Sequence, residues 1–217
     1  MTTIILTTTV YVNHKKLCIF QSDPNERLNL YLESIMNWLE RTPYNIIVVD
    51  NSGHEFDELV NEKKIYEHRF EVVSFKESEL KIAQYLQDTY SKGASEIFAI
   101  NYAFNNSFLK YKTNFIIKIT GRYFIDSLVK FLNNYDLPNY DAIRQFEGNR
   151  CELVGCHPKH FWYIFNIALL SDKNNYDPHI ETIWRDRIAK YDNVITCDLF
   201  FIKPTQRGGV NELFNTI

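Results

Sequence analysis

The chain has 217 residues, 45% of them hydrophobic and 24% charged, with a formal net charge of −3. That length and apolar content suit one large domain whose core needs no covalent staples. The acidic balance excludes a global positive field that would gather nucleic acid or anionic membrane, so any anionic ligand must be met by local basic groups.

From the N-terminus, the β-branched run Ile4-Ile5-Leu6-Thr7-Thr8-Thr9-Val10 predicts a buried strand over 4–10. It begins with neither a basic leader nor a small-residue cleavage site, so a cytoplasmic protein is expected. Leu28, Tyr31, Leu32, Ile35, Met36 and Leu39 recur at helical spacing and predict an amphipathic helix over 25–41, capped by Ser22 or Asp23. A strand over 45–49 ends in the turn cluster Asp50-Asn51-Ser52-Gly53. A short helix over 55–64, a strand over 70–75 and a helix over 96–109 follow. The apolar run 115–119 is then a strand that ends in Thr120-Gly121-Arg122.

Beyond Arg122 the pattern loosens. Helices are expected over 127–133, 159–170 and 180–191, and strands over 142–145, 152–156 and 194–202. Strands alternating with helices predict an α/β fold with a mostly parallel central sheet, helices on both faces and a smaller second sub-region. One domain spans 1–217, with 1–122 as one half and 123–217 as the other. No run approaches the roughly 20 apolar residues of a transmembrane helix. Cys18, Cys151, Cys156 and Cys197 make no CxxC pair. Free buried thiols are expected rather than zinc ligands or disulfides. In a regular strand, Cys151 and Cys156 would point to opposite faces.

In an open α/β sheet, ligands bind beyond the carboxyl ends of the strands. Three such ends carry polar groups: Thr7-Thr8-Thr9, Asp50-Asn51-Ser52-Gly53 and Thr120-Gly121-Arg122. Hydroxyls suit a base or ribose, the acid suits a ribose hydroxyl, and the guanidinium suits phosphate. Lys118 lies two residues before Thr120, so the pleat puts both on one face. In Lys92-Gly93-Ala94-Ser95-Glu96, Lys92 could neutralise a phosphate and Ser95 could cap the helix. The segment lacks the GxxxxGK[ST] form, and no GxGxxG follows the first strand.

The ordered set Ile47-Val48-Val49-Asp50-Asn51-Ser52-Gly53, Lys92 to Glu96 and Lys118-Ile119-Thr120-Gly121-Arg122-Tyr123 resembles GT-A-type glycosyltransferases of the nucleotide-diphospho-sugar transferase superfamily. The likeness is to a branch with a Lys-(Ile/Leu)-Thr-Gly-Arg-Tyr segment. Arg27, Tyr31 and Arg207-Gly208-Gly209 also look like that branch, and the resemblance spans most of the chain.

The resemblance implies transfer of a sugar from a nucleoside-diphosphate sugar to a hydroxyl acceptor, a glycan or glycoconjugate, by an inverting displacement. Thr7, Thr8, Asp50, Asn51, Lys92, Lys118, Thr120, Gly121 and Arg207 would bind the donor, with Arg122 on the leaving diphosphate. Glu181, at a helix start in His179-Ile180-Glu181, would be the base. His157 and His179 would lie on the acceptor side.

One departure matters. GT-A enzymes carry Asp-x-Asp where this chain has Thr120-Gly121-Arg122, and those acids hold Mn²⁺ or Mg²⁺ against the diphosphate. A guanidinium can meet that charge directly. Metal-independent transfer is therefore expected. The alternative is Mn²⁺ or Mg²⁺ held by acids outside the motif, with Asp50 and Asp198 as candidates. A non-catalytic nucleotide-sugar or glycan-binding module is the rival function. A sugar nucleotidyltransferase ranks lower, because no basic loop follows the first strand.

Overall fold

The computed structural model describes residues 1–17, 19–168, 179–207 and 209–217. Ile4 and Leu6 alternate with Ile5 along β1 (Thr2–Thr8), so the strand feeds two cores at once. The same alternation runs through β2 (Asn45–Asp50) and β4 (Phe115–Thr120). One face packs on α1 (Pro24–Arg41), with Trp38 and Ile35 fully buried. The other packs on α3 (Lys92–Asn106), α5 (Phe161–Ile164) and α6 (Ile180–Ile188).

With α2 (Val60–Ile65), β3 (Phe70–Ser74), α4 (Leu128–Leu132), β5 (Ala142–Gln145), β6 (Leu153–Cys156) and β7 (Val194–Cys197), these elements build one α/β domain. Its seven-stranded sheet has the order β3-β2-β1-β4-β6-β5-β7. Every neighbouring pair is parallel except the two that β6 makes, with β4 and β5. A separate antiparallel pair, β8 (Phe201–Gln206) and β9 (Leu213–Thr216), stands outside that sheet. No helix of the described residues is long and apolar enough to cross a membrane.

The expected elements return with informative exceptions. Asp23 is the cap of α1, its carboxylate accepting from the backbone N–H groups of Asn25 and Glu26 at 2.8 and 2.9 Å. The cap of α3 is Ser91, bonded to Ala94 N at 3.2 Å, so the helix starts a turn before the expected position and Ser95 lies inside it. The helix expected over 159–170 is a 3₁₀ turn, Pro158–His160, followed by α5; residues 169–170 lie outside the described set. The strand expected over 194–202 is two strands in different sheets. Neither β9 nor the 3₁₀ segment Lys81–Asp88 was expected.

Cys151, Cys156 and Cys197 are free thiols, and Cys18 lies outside the described residues. Cys151 precedes β6 rather than sitting in its pleat. It therefore packs against the same core as Cys156, not on the opposite face.

Gly155, in the middle of β6, is where the sheet leaves no room for a side chain. A Cβ there would lie 2.4 Å from Ile116 O and 2.8 Å from Ile143 Cγ2. Gly155→Ala should cost about 1–3 kcal/mol by overpacking and lower Tm by ~2–12 °C for a chain of this size. Calorimetry of the variant checks it; an unchanged Tm would mean that the strands around β6 yield freely.

Candidate functional site

The carboxyl ends of β1, β2 and β4 and the segment leading into β6 surround a cleft of about 930 Å³. Its floor is set by a close backbone crossing. Gly121 N–H donates to Thr7 O at 2.9 Å. A Cβ on Gly121 would stand 2.6 Å from Thr8 Cγ2 and 2.7 Å from Thr7 O, so the turn requires glycine. The next residue, Arg122, emerges into the cleft.

Among the described residues, Arg122 Nη1 reaches two neutral acceptors, Gln21 Oε1 at 3.4 Å and Gln206 O at 3.3 Å. Its Nε is buried and has no hydrogen-bond partner among the described residues. Arg207, just beyond β8, lines the same cleft over the Phe214 ring, 4.2 Å from its centroid. It pairs with Glu152 Oε1 at 3.5 Å, and its Nε is likewise buried without an acceptor. Arg27, from α1, is fixed by Thr9 O, Gln21 O and Tyr31 Oη at 2.6, 2.9 and 2.8 Å. Burial pulls its guanidinium below the ordinary arginine range, and nearby Arg122 pushes the same way. Lys92, at the start of α3, completes this cationic part of the lining. Two guanidiniums of the cleft lining thus each keep a buried N–H whose hydrogen bonding is incomplete among the described residues.

Asp50 proves to be an organiser. It has no exposed surface and does not line the cleft. Its Oδ2 accepts from Thr8 Oγ1 at 2.9 Å and Val10 N at 3.1 Å. Its Oδ1 accepts from Ser52 N at 2.8 Å and His54 N at 3.2 Å, and from the Ser52 hydroxyl. The direct nucleoside contact expected of Asp50 is therefore not available to a carboxylate placed behind the lining. Asn51 faces the cleft, accepting from Thr9 Oγ1 at 2.6 Å and donating to Glu77 Oε2 at 3.0 Å. Thr7 and Thr8 also line it, but Thr7 Oγ1 already donates to Glu96 Oε1 at 2.8 Å.

Lys118 shares the Thr120 face, as the pleat requires, and that face is covered by α3 and α6. The lysine is fully buried and does not line the cleft, where the sequence reading expects it. Its Nζ lies 2.7 Å from Glu96 Oε1, 2.7 Å from Cys151 O and 3.2 Å from Thr120 Oγ1. Burial alone would lower the ammonium pKa; the Glu96 carboxylate outweighs it and the net direction is up. Cys151 Sγ sits 3.2 Å from Glu181 Oε1. Burial pushes this thiol well above its ordinary range, and Glu96, Glu181 and Glu152 add to the push against Lys118.

Of the expected site residues, Thr7, Thr8, Asn51, Lys92, Thr120, Arg122, His179, Glu181 and Arg207 line one cleft. Asp50, Gly121 and Lys118 lie behind it. Gly208 falls outside the described residues.

His157 is misplaced by the expectation. Because β6 runs antiparallel to β4, pairing Ile116 with Cys156, its end meets the start of β4 at the opposite edge of the sheet. There His157 Nδ1 accepts from Lys159 N at 3.1 Å and caps a 3₁₀ turn. Burial and the neighbouring Lys159 and His160 hold its imidazole below the ordinary range.

The same reversal brings Cys151 and Glu152 into the cleft. Glu96, the last residue of the Lys92 to Glu96 segment, also lines the cleft.

The residues do not fit a metal held by Asp50 and Asp198. Asp50 is saturated by five donors within the fold, and Asp198 is exposed outside the cleft lining. Among the described residues, no three of His, Cys, Asp or Glu are grouped to hold a metal ion.

No family model matches the sequence. No curated protein matches it either. Solved structures do resemble it. A Desulfovibrio desulfuricans protein described as a nucleotide-diphospho-sugar transferase aligns over 91% of this chain and 79% of its own, at 17% identity and TM-score 0.49. A Leptospira borgpetersenii cytidylyltransferase aligns over 99% and 81%, at 12% identity and TM-score 0.48. The Streptococcus pneumoniae glycosyltransferase GlyE aligns over 90% of this chain but 44% of its own, at 10% identity and TM-score 0.49. Likeness at this distance fixes no activity, substrate or partner for this chain.

The Lys118–Glu96 pair carries a stability prediction. Lys118→Met leaves a largely buried carboxylate without its cation and should cost about 3–5 kcal/mol. Adding Glu96→Gln removes the stranded charge and should recover part of that loss. Urea denaturation of both variants checks this. A single variant as stable as wild type would show that Glu96 finds water instead.

Proposed function

We propose that the chain is a GT-A-type glycosyltransferase that moves a sugar from a nucleoside-diphosphate sugar to a hydroxyl acceptor, with inversion. The observation that carries the proposal is Arg122, which stands at the cleft end of β4 with a buried N–H lacking an acceptor. Arg122, Arg207 and Lys92 would hold the diphosphate, and Asn51 and Thr8 would meet the nucleoside. His179 lines the cleft beside Glu181, where a hydroxyl-bearing glycan acceptor would enter.

In this scheme the acceptor hydroxyl gives its proton to the Glu181 carboxylate as its oxygen attacks the sugar's anomeric carbon. The bond from that carbon to the diphosphate breaks, and its electron pair leaves on a phosphate oxygen. Charge grows on the diphosphate as the bond breaks. Donors already aimed at it stabilise the transition state more than the ground state. Residues 1–122 would form the donor half and 123–217 the acceptor half. We propose transfer without a metal, because the guanidinium replaces the usual acids and neither Asp50 nor Asp198 is placed to substitute for them.

Two measurements test the proposal. A thermal-shift panel of nucleotides and nucleotide sugars, with and without Mn²⁺ or Mg²⁺, should find a donor that stabilises the protein by about 2.7 kcal/mol at 100 times its Kd. No shift with any of them sinks the proposal, and a shift only with metal removes its metal-independent form. With the donor found, Arg122→Ala should lose about 2.7–4 kcal/mol of transition-state stabilisation, roughly 10²–10³ in turnover. Near-normal turnover would remove Arg122 from the mechanism. Donor binding without turnover by wild type or Glu181→Gln would favour a binding module, for which the missing acids already speak.

A further inference from the structure

The proposed reaction needs Glu181 but leaves unexplained what holds it. Glu181 is the second residue of α6, with one carboxylate oxygen 3.2 Å from Cys151 Sγ. The thiol donates and the carboxylate oxygen accepts. Cys151 is in turn held by its own carbonyl, which accepts from Lys118 Nζ at 2.7 Å. Lys118 is anchored by Glu96 Oε1 at 2.7 Å and has no exposed surface. A fixed cation in the sheet thus pins a backbone carbonyl, and the side chain of that residue meets the carboxylate.

We propose that Cys151, steadied by Lys118, is a positioning residue. Its thiol proton occupies Glu181 Oε1 and leaves Oε2 to take the acceptor's proton. The inference rests on Glu181 being the base. The arrangement suits a weak donor. A thiol orients the carboxylate while lowering its basicity less than a hydroxyl would, because S–H is the poorer hydrogen-bond donor. It also stays a donor across the working range, since its environment keeps the sulfur protonated.

The charged and titratable groups around the pair are Lys118 from β4, Glu96 from α3 and Glu152 beside Cys151. On the same helix stand His179, Glu181's N-terminal neighbour but one, and Arg185, one turn on. None of these changes in the variants below, so a shift in Glu181 reports the thiol.

The experiment is a pH titration of ¹³C-carboxylate-labelled glutamates by NMR, with Glu181→Gln assigning the resonance. It compares wild type, Cys151→Ala and Cys151→Ser. Losing a donor to the charged form raises a carboxylate's midpoint. Cys151→Ala should therefore move Glu181 up by about one pH unit. Cys151→Ser, which restores a donor, should sit at or below wild type.

In turnover of the donor selected by the thermal-shift panel, Cys151→Ala should lower kcat about tenfold with KM little changed. Cys151→Ser should keep most of the rate. An unmoved midpoint in Cys151→Ala, or Cys151→Ser matching Cys151→Ala, overturns the inference. If Glu181→Gln turns over normally while the midpoint still moves, the base assignment falls. The thiol's hold on Glu181 then stands without a catalytic purpose.

Discussion

An ammonium group with no exposed surface sits inside the central strand of this sheet, and much else is arranged around it. Lys118 belongs to an apolar run in which its neighbours Ile117 and Ile119 fill the α1-side core. Its own face points toward α3 and α6. A charge there is tolerable only if every proton finds an acceptor and a counter-charge is near. Glu96 supplies the charge, while Cys151 O and Thr120 Oγ1 take the remaining protons. Satisfying one lysine thus draws together a helix, a strand end and the segment leading into β6, and that assembly becomes one wall of the cleft.

The floor of the cleft follows from a different constraint, the near contact of two backbones. Gly121 crosses β1 so tightly that any side chain would strike Thr7 or Thr8. The crossing directs Arg122 into the cleft, where its partners are neutral and distant. A short turn thus sets a rigid cation above a floor of hydroxyls. Asp50 supports the same floor from beneath by binding three backbone N–H groups and two hydroxyls of the β1 and β2 loops.

Most of the first half was legible in the sequence, because its strands are buried on both faces and its helices are amphipathic. The ends of β1, β2 and β4 fall where turn residues interrupt the apolar runs. What could not be read was partner choice. Nothing in Leu153-Val154-Gly155-Cys156 reveals that β6 is antiparallel, yet that reversal exchanges the roles of its two ends. It carries His157 away from the cleft and brings Cys151 and Glu152 to it. Lys118 misled for a related reason. A lysine at a strand end reads as reaching for solvent, and only the packing of α3 and α6 shows that no solvent is there. Asp50 looked like a ligand contact because a saturated carboxylate and a waiting one are the same letter.

The two arginines with unfilled N–H groups belong to different sheets. Arg122 follows β4 of the main sheet, and Arg207 follows β8 of the separate pair. Reciprocal backbone hydrogen bonds between Phe200 and Ile217, at 2.7 and 3.0 Å, close the open end of that pair, and Gln145 Nε2 of β5 docks it on the main sheet through Ile217 O at 2.6 Å. An anion seated between the guanidiniums would add a further tie across two hydrogen-bonded units that Gln145 already joins. Because Arg122 already reaches Gln206 O, the units meet before any ligand arrives. Less ordering would be left for such an anion to impose, and more of its attraction to the arginines would remain as affinity.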